Sequence, residues 1–161
     1  MQKKFIALAV VIVLIAIGTY FYFGVISPVV PKPVVSKLAL TENQEVKPEH
    51  VNYVVNELGA YKLHPSLSCE PAEIEVASAG KLFTITTQDG KTATKEGKAS
   101  NPDIRITAPP DAFVKLFSTT DIKAEISKLY NDGLIKVDLL KDAATLALKG
   151  YKGIYDELQP K

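Results

Sequence analysis

Apolar and polar positions change rhythm several times along this chain, and each change predicts an element. Residues 5–26, FIALAVVIVLIAIGTYFYFGVI, carry no charge. As a helix they span about 33 Å, against a hydrocarbon core roughly 30 Å thick. Tyr20, Phe21, Tyr22 and Phe23 cluster near one end, where an interfacial aromatic belt lies. The run predicts an uncleaved membrane anchor. A secretory signal has a shorter apolar stretch, about 7–15 residues, ending in small side chains; this one ends in YFYFGVISP. Lys3 and Lys4 abut its amino end, while the nearest cations beyond it are Lys32 and Lys37. That bias predicts a single-pass protein with a cytoplasmic N-terminus and an extracytoplasmic C-terminal domain.

Residues 27–37, SPVVPKPVVSK, hold three prolines. Polyproline-II geometry at about 3.1 Å per residue predicts a semi-rigid spacer, able to hold a domain up to ~30 Å away. The expected organisation is an anchor over 1–26, a Pro-rich linker over 27–40 and one domain over 41–161.

In that domain EVKPEHVNYVVNELGAYKL (45–63) has a helical stripe of Val51, Val54, Val55 and Leu58, with Pro48 suited to a first turn. Gly59 suits its end, and HPSLSCEP (64–71) reads as a loop. The period then falls to two. Ile74 and Val76 mark one strand; Leu82, Phe83 and Ile85 mark a second, after an Ala79-Gly80 turn. Asp89-Gly90 is a hairpin signal, Thr92-Ala93-Thr94 a polar third strand, and Ile104 and Ile106 a fourth. These four read as an antiparallel meander. Pro109 and Pro110 end the last strand near Thr107. Two short helices follow, one with Ala112, Phe113, Leu116 and Phe117, the next with Ile122, Ile126, Leu129 and Tyr130. Asn131-Asp132-Gly133 stops the second. Leu134, Ile135, Val137 and Leu139 form the most apolar strand, and Ala144, Ala147, Leu148, Tyr151, Tyr155 and Leu158 line one face of a closing helix, interrupted by Gly150 and Gly153. The order predicts an α+β fold: a mostly antiparallel five-stranded sheet covered by helices.

Composition narrows the function. The chain has 161 residues, 47% hydrophobic and 23% charged, with a formal net charge of +1. From Thr41 onward 15 lysines and arginines face 18 acidic residues, a net of −3. No basic run of five occurs and tryptophan is absent. Nucleic acid is therefore not an expected partner. Cys69 is the only cysteine, so no internal disulfide can form.

Chemistry is sparse. His64-Pro65-Ser66-Leu67-Ser68-Cys69 gathers a base and three nucleophile types. Nucleophilic catalysis needs the base within hydrogen-bond reach of the nucleophile and a third group orienting it, and a loop ending in Pro71 supplies no such scaffold. One Cys and two His lack metal-site spacing. Asp132, Asp138 and Asp142 flank the apolar strand as solvated acids. Gly150-Tyr151-Lys152-Gly153 has a GxxG spacing, which inside an amphipathic helix suits close packing. No phosphate-cradling loop or dinucleotide fingerprint occurs. Neither an enzyme nor a cofactor is expected.

The stretch 102–148 resembles the sterol carrier protein-2 (SCP2) superfamily. The resemblance rests on Pro102-Asp103-Ile104-Arg105-Ile106, Asp111-Ala112-Phe113, Gly133-Leu134-Ile135-Lys136-Val137 and Asp142-Ala143-Ala144. Where that family commonly has Gly-Asp after the penultimate strand, this chain has Leu140-Lys141-Asp142. The resemblance, over roughly residues 73–158, implies a sheet and helices enclosing an apolar tunnel for lipid or fatty acyl chains. It implies a lining of Phe83, Ile85, Ile104, Ile106, Phe113, Leu116, Phe117, Ile126, Leu129, Tyr130, Ile135, Val137, Leu148 and Tyr151. Tyr130, Tyr151 and Arg105 are candidate polar handles at its mouth. The same positions also serve an ordinary filled core, although large side chains crowd 112–129 for helices this short.

Two functions follow. One is a membrane-anchored, non-catalytic module binding a lipid or other hydrophobic ligand in an apolar cavity between sheet and helices. The alternative is an extracytoplasmic structural or protein-interaction domain with a filled core, part of a surface complex. The sequence names no protein partner.

Overall fold

Strand β1 (Ala72–Ser78) alternates Ile74 and Val76 with Glu73 and Glu75, yet all four side chains are buried. Both of its faces are covered, which fits its place at the centre of a five-stranded sheet ordered β3-β2-β1-β4-β5. The computed structural model describes residues 14–15, 30–41, 44–66 and 69–158. The expected anchor over 5–26 lies outside them, apart from Leu14 and Ile15, which are helical. Among the described residues no helix is long and apolar enough to cross a membrane.

β1, β2 (Lys81–Gln88) and β3 (Lys91–Glu96) form two antiparallel hairpins. Their turns, Ala79-Gly80 and Asp89-Gly90, each hold two successive residues at positive φ, the type I′ pattern that matches strand twist. Ile74 sits opposite Ile85 and Val76 opposite Phe83, which puts the apolar set on one face.

The fourth strand departs from the expected meander. β4 (Ile104–Thr107) does not pair with β3; it lies on the far side of β1 and runs parallel to it, Ile74 beside Ile104 and Val76 beside Ile106. The sheet is therefore mixed, with one parallel pair among antiparallel ones. A parallel crossover usually needs a helix; here residues 97–103 make it as an irregular strap across the face opposite the apolar set. Two acidic side chains hold the strap. Glu75 accepts from Ala99 N at 3.0 Å, and Glu73 accepts from Ser100 N at 3.3 Å and Asn101 N at 2.8 Å. Arg105 Nε donates to Glu75 at 2.7 Å. Arg105 thus lies on the strap face and is no handle for a ligand under the helices.

The helices cover the other face. α1 (Pro48–Glu57) buries Val51, Val54 and Val55, and its Asn52 and Asn56 bond Thr92 and Thr94 of the polar strand β3. α2 (Pro110–Ser118) starts at the second of two prolines, after Pro109 in an extended conformation. α3 (Ile122–Asn131) is capped by Asp121, whose side chain accepts from Ala124 N. β5 (Lys136–Leu139) is the far edge strand, antiparallel to β4.

The closing helix is two helices, α4 (Ala143–Leu148) and α5 (Tyr151–Leu158). Gly150, at φ +87°, makes the break, and a Cβ there would meet the His64 ring and the Lys62 carbonyl. The break shifts the stripe: Leu146, Tyr151, Ile154 and Leu158 are buried, while Ala144, Ala147, Leu148 and Tyr155 are exposed.

Residues 31–41 run along the domain instead of standing it off. Lys32 pairs with Glu57 at 2.7 Å, Lys37 donates to the Thr119 carbonyl at 2.6 Å, and Leu40 is buried.

Candidate functional site

Two apolar spaces on the helix-bearing face differ in kind. The first lies in the core between β1, β4 and helices α1 to α3, lined by residues such as Val55, Val76, Phe113, Leu116 and Ile126. Its volume is about 30 Å³, the share of a single water molecule. The core here is essentially filled.

The second is an open cleft of about 300 Å³ at the β5 side of the sheet. Ile104, Val137 and Leu139 form its floor, Ala143, Leu146 and Ala147 of α4 one wall, and Tyr151, Ile154, Tyr155 and Leu158 of α5 the other, with Lys152 on the rim. Its surface is almost wholly apolar. The cleft exists because β5 continues the apolar alternation past the point where helices cover it. Ile135 is buried, Val137 half-buried and Leu139 62% exposed.

Beneath the cleft lies a buried polar cluster. Asp103, at the end of the strap, accepts from Lys149 Nζ at 2.7 Å, Tyr151 Oη at 3.0 Å and Glu73 N at 2.9 Å. Lys149 Nζ also donates to the Pro71 carbonyl at 2.9 Å. Every strong partner is matched, as buried charges require. Burial, with the Asp103 carboxylate alongside, pushes the Tyr151 phenol well above its usual range. The ring of Tyr151 lines the cleft while its hydroxyl is fixed below. Tyr151 is therefore a positioned wall and not a free handle.

The residues expected to line one tunnel divide between these spaces. Ile106, Phe113, Leu116, Ile126, Ile135 and Val137 face the small core cavity, and Ile104, Val137 and Tyr151 line the cleft. Phe83, Ile85, Phe117, Leu129, Tyr130 and Leu148 line neither. Phe117 packs on His50 and Tyr53, with ring centroids 5.3 and 5.5 Å away. Leu139 and Tyr155 are cleft residues that the sequence pattern gave to a strand and a helix but not to the ligand lining, and Leu146 and Ile154 it did not name. The signal for Leu139 was present, since it continues the Ile135–Val137 alternation.

Part of the loop around His64 falls within the described residues. His64 Nδ1 faces the Pro65 carbonyl at 3.2 Å, and Cys69 is exposed; Leu67 and Ser68 lie outside the described residues. Asp142 caps α4, and the Thr145 hydroxyl holds its carboxyl below the usual range. Among the described residues no group of three His, Cys, Asp or Glu side chains could hold a metal ion.

No family model and no curated protein matches this chain. Solved structures do. UbiJ-SCP2, a ubiquinone synthesis protein, is 12% identical over 71% of this chain and 93% of its own, with a TM-score of 0.39. This chain resembles SCP2-domain structures. A second, sterol carrier protein 2 like 2 from Aedes aegypti, is 15% identical over 61% of this chain and 94% of its own, at a TM-score of 0.36. The sec-alkylsulfatase Pisa1 from Pseudomonas sp. is 13% identical over 56% of this chain, which spans only 13% of that enzyme, at a TM-score of 0.35.

Proposed function

We propose that this chain is a non-catalytic module that binds a lipid or similar apolar ligand in the cleft between β5, α4 and α5. Residues 5–26 tether it to a membrane as a single-pass anchor, N-terminus cytoplasmic and domain extracytoplasmic. One observation carries the reading: an open, nearly all-apolar cleft of about 300 Å³, at the lower end of the usual range for ligand pockets. Left empty, such a wall stays in contact with water. Filling it gains roughly 0.8 kcal/mol per buried methylene, so affinity needs no reactive group. The ligand class agrees with what the SCP2 resemblance implies, although the position at the β5 edge comes from the cleft itself.

Titration of the full chain with a fluorescent long-chain fatty acid tests this. Leu139→Asp puts a carboxylate on the cleft floor at an exposed site. It is expected to weaken binding about tenfold or more while leaving stability within about 0.5 kcal/mol. A wild-type chain that takes up no probe, or a variant that binds equally well, contradicts the proposal.

A further inference from the structure

Among the described residues from 44 to 158, the exposed large apolar side chains gather on β5, its flanks and the two closing helices. Leu134, Leu139 and Leu140 are on β5 and its flanks, Leu148 is on α4 and Tyr155 is on α5. β5 is also an edge strand, with β4 on one side and no further strand on the other. The opposite edge, β3, reads Lys-Thr-Ala-Thr-Lys-Glu.

The backbone of β5 says which groups are free. Leu140 N donates to Asp103 O at 2.9 Å, continuing the β4–β5 register. In an antiparallel ladder hydrogen bonding alternates between neighbouring residues. Lys136 and Asp138 therefore turn their N–H and C=O groups toward β4, while Val137 and Leu139 turn theirs outward.

Charge says what fits there. On the strap face Glu75, Arg105 and Asp138 stand side by side in successive strands. Their signs alternate, and the row ends at the edge on an anion. Lys136 is the next residue on that face, and neither Lys136 nor Asp138 forms an ion pair among the described residues. A second β5, added antiparallel, must place outward-facing residues opposite one another. Two-fold registers centred on each of the four β5 residues satisfy that, and the one centred on Leu139 overlaps the two strands at that residue alone. Centring on Lys136 opposes two lysines, and centring on Asp138 opposes two aspartates; like charges directly opposite are destabilising. Centring on Val137 sets Lys136 against the partner's Asp138, and Asp138 against the partner's Lys136.

We propose that β5 is a homodimerisation edge, pairing antiparallel with a second copy through Val137 on the two-fold axis. The sheets join into one of ten strands, and the alternating charge row continues across the axis. Leu139 comes to lie opposite the partner's Ile135 on the helix-bearing face, so both clefts open toward the axis on the same side. Pairing does not depend on whether the cleft holds lipid.

Native mass spectrometry of the full chain, released from detergent at micromolar concentration, tests this with two variants. Wild type is expected at twice the chain mass. Lys136→Asp leaves two acids facing two acids, Asp138→Lys leaves two lysines facing two lysines, and each alone is expected to be monomeric. Mixed in equal amounts, the two variants oppose acid to lysine at every pair and are expected to form a heterodimer. Three results overturn the proposal: a monomeric wild type, a dimer persisting in both variants, or a mixture that stays monomeric. A dimer insensitive to both substitutions assigns association to another segment or surface. Fatty acid uptake measured on the same samples reports on the cleft separately.

Discussion

Lys149 Nζ lies 2.7 Å from Asp103 Oδ1, with the two side chains 2% and 0% exposed. The pair ties the break between α4 and α5 to the residue just before β4, so one buried contact sets both walls of the cleft against its floor. Removing one member leaves the other charge buried without a partner. Lys149→Met is expected to cost about 3–5 kcal/mol in urea unfolding, and Lys149→Met with Asp103→Asn to recover part of that loss. A single-variant loss under about 1 kcal/mol contradicts a buried, mutually dependent pair.

The strap over residues 97–103 depends on acids and not on helix packing. Glu73 accepts from two successive backbone amides, Ser100 and Asn101. Glu73→Ala leaves those donors unmatched, at about 1–3 kcal/mol each for whatever part stays buried. The Ser100 and Asn101 amides are expected to exchange with deuterium far faster than in wild type, while β2 amides keep their protection. Unchanged exchange there refutes the clamp.

His50 makes stability depend on pH. It is buried on α1, its Nδ1 accepts from Lys47 N at 3.0 Å and its ring packs edge-on against Phe117. Burial lowers its pKa below the ordinary 6.5, outweighing the Ala39 carbonyl and the Glu49 carboxylate, which favour the charged form. The unfolded chain therefore binds the proton more readily than the folded one. The contribution of His50 is fully present above about pH 6.5 and is lost as pH falls from there toward the lowered folded value. Urea unfolding between pH 7.5 and pH 5, about one unit or more on either side of the free imidazole pKa, checks this against His50→Gln. The variant keeps a side-chain acceptor at that position and is expected to flatten the fall; an equally steep fall in the variant excludes His50 as the cause.

How much of this the sequence carried differs element by element. Ile74/Val76, Phe83/Ile85 and the Asp89-Gly90 turn are local patterns, and they mark β1, β2 and their hairpin neighbour correctly. Pro109-Pro110 marks the end of β4 near Thr107 and the change to helix that follows. The placement of β4 beside β1 is a long-range pairing, and nothing in the alternation of Ile104 and Ile106 distinguishes it from a fourth meander strand. Glu73, Glu75 and Lys149 carry no local signal of burial, since charged side chains are usually exposed; their burial depends on partners 24 to 78 residues away. The closing stripe misled about its inner face: with the helix broken at Gly150, Leu146 and Ile154 are buried while Leu148 and Tyr155 are exposed.

Filled core and open cleft are expected to answer mutation differently. Phe113→Ala, against the 30 Å³ cavity, is expected to cost about 3–5 kcal/mol. Tyr155→Ala, at a side chain 54% exposed on the cleft, is expected to stay within about 0.5 kcal/mol and to weaken fatty acid binding instead. The reverse assignment of the two effects would return the binding site to the core.

The most direct measurement is native mass spectrometry of the full chain as purified, followed by organic extraction of whatever it carries. The account predicts a reproducible bound mass of a few hundred daltons, absent from Ala147→Trp, whose indole occupies the cleft, and retained in Glu73→Gln on the opposite face. A clean unliganded wild-type mass, with no uptake of lipid added afterwards, contradicts it.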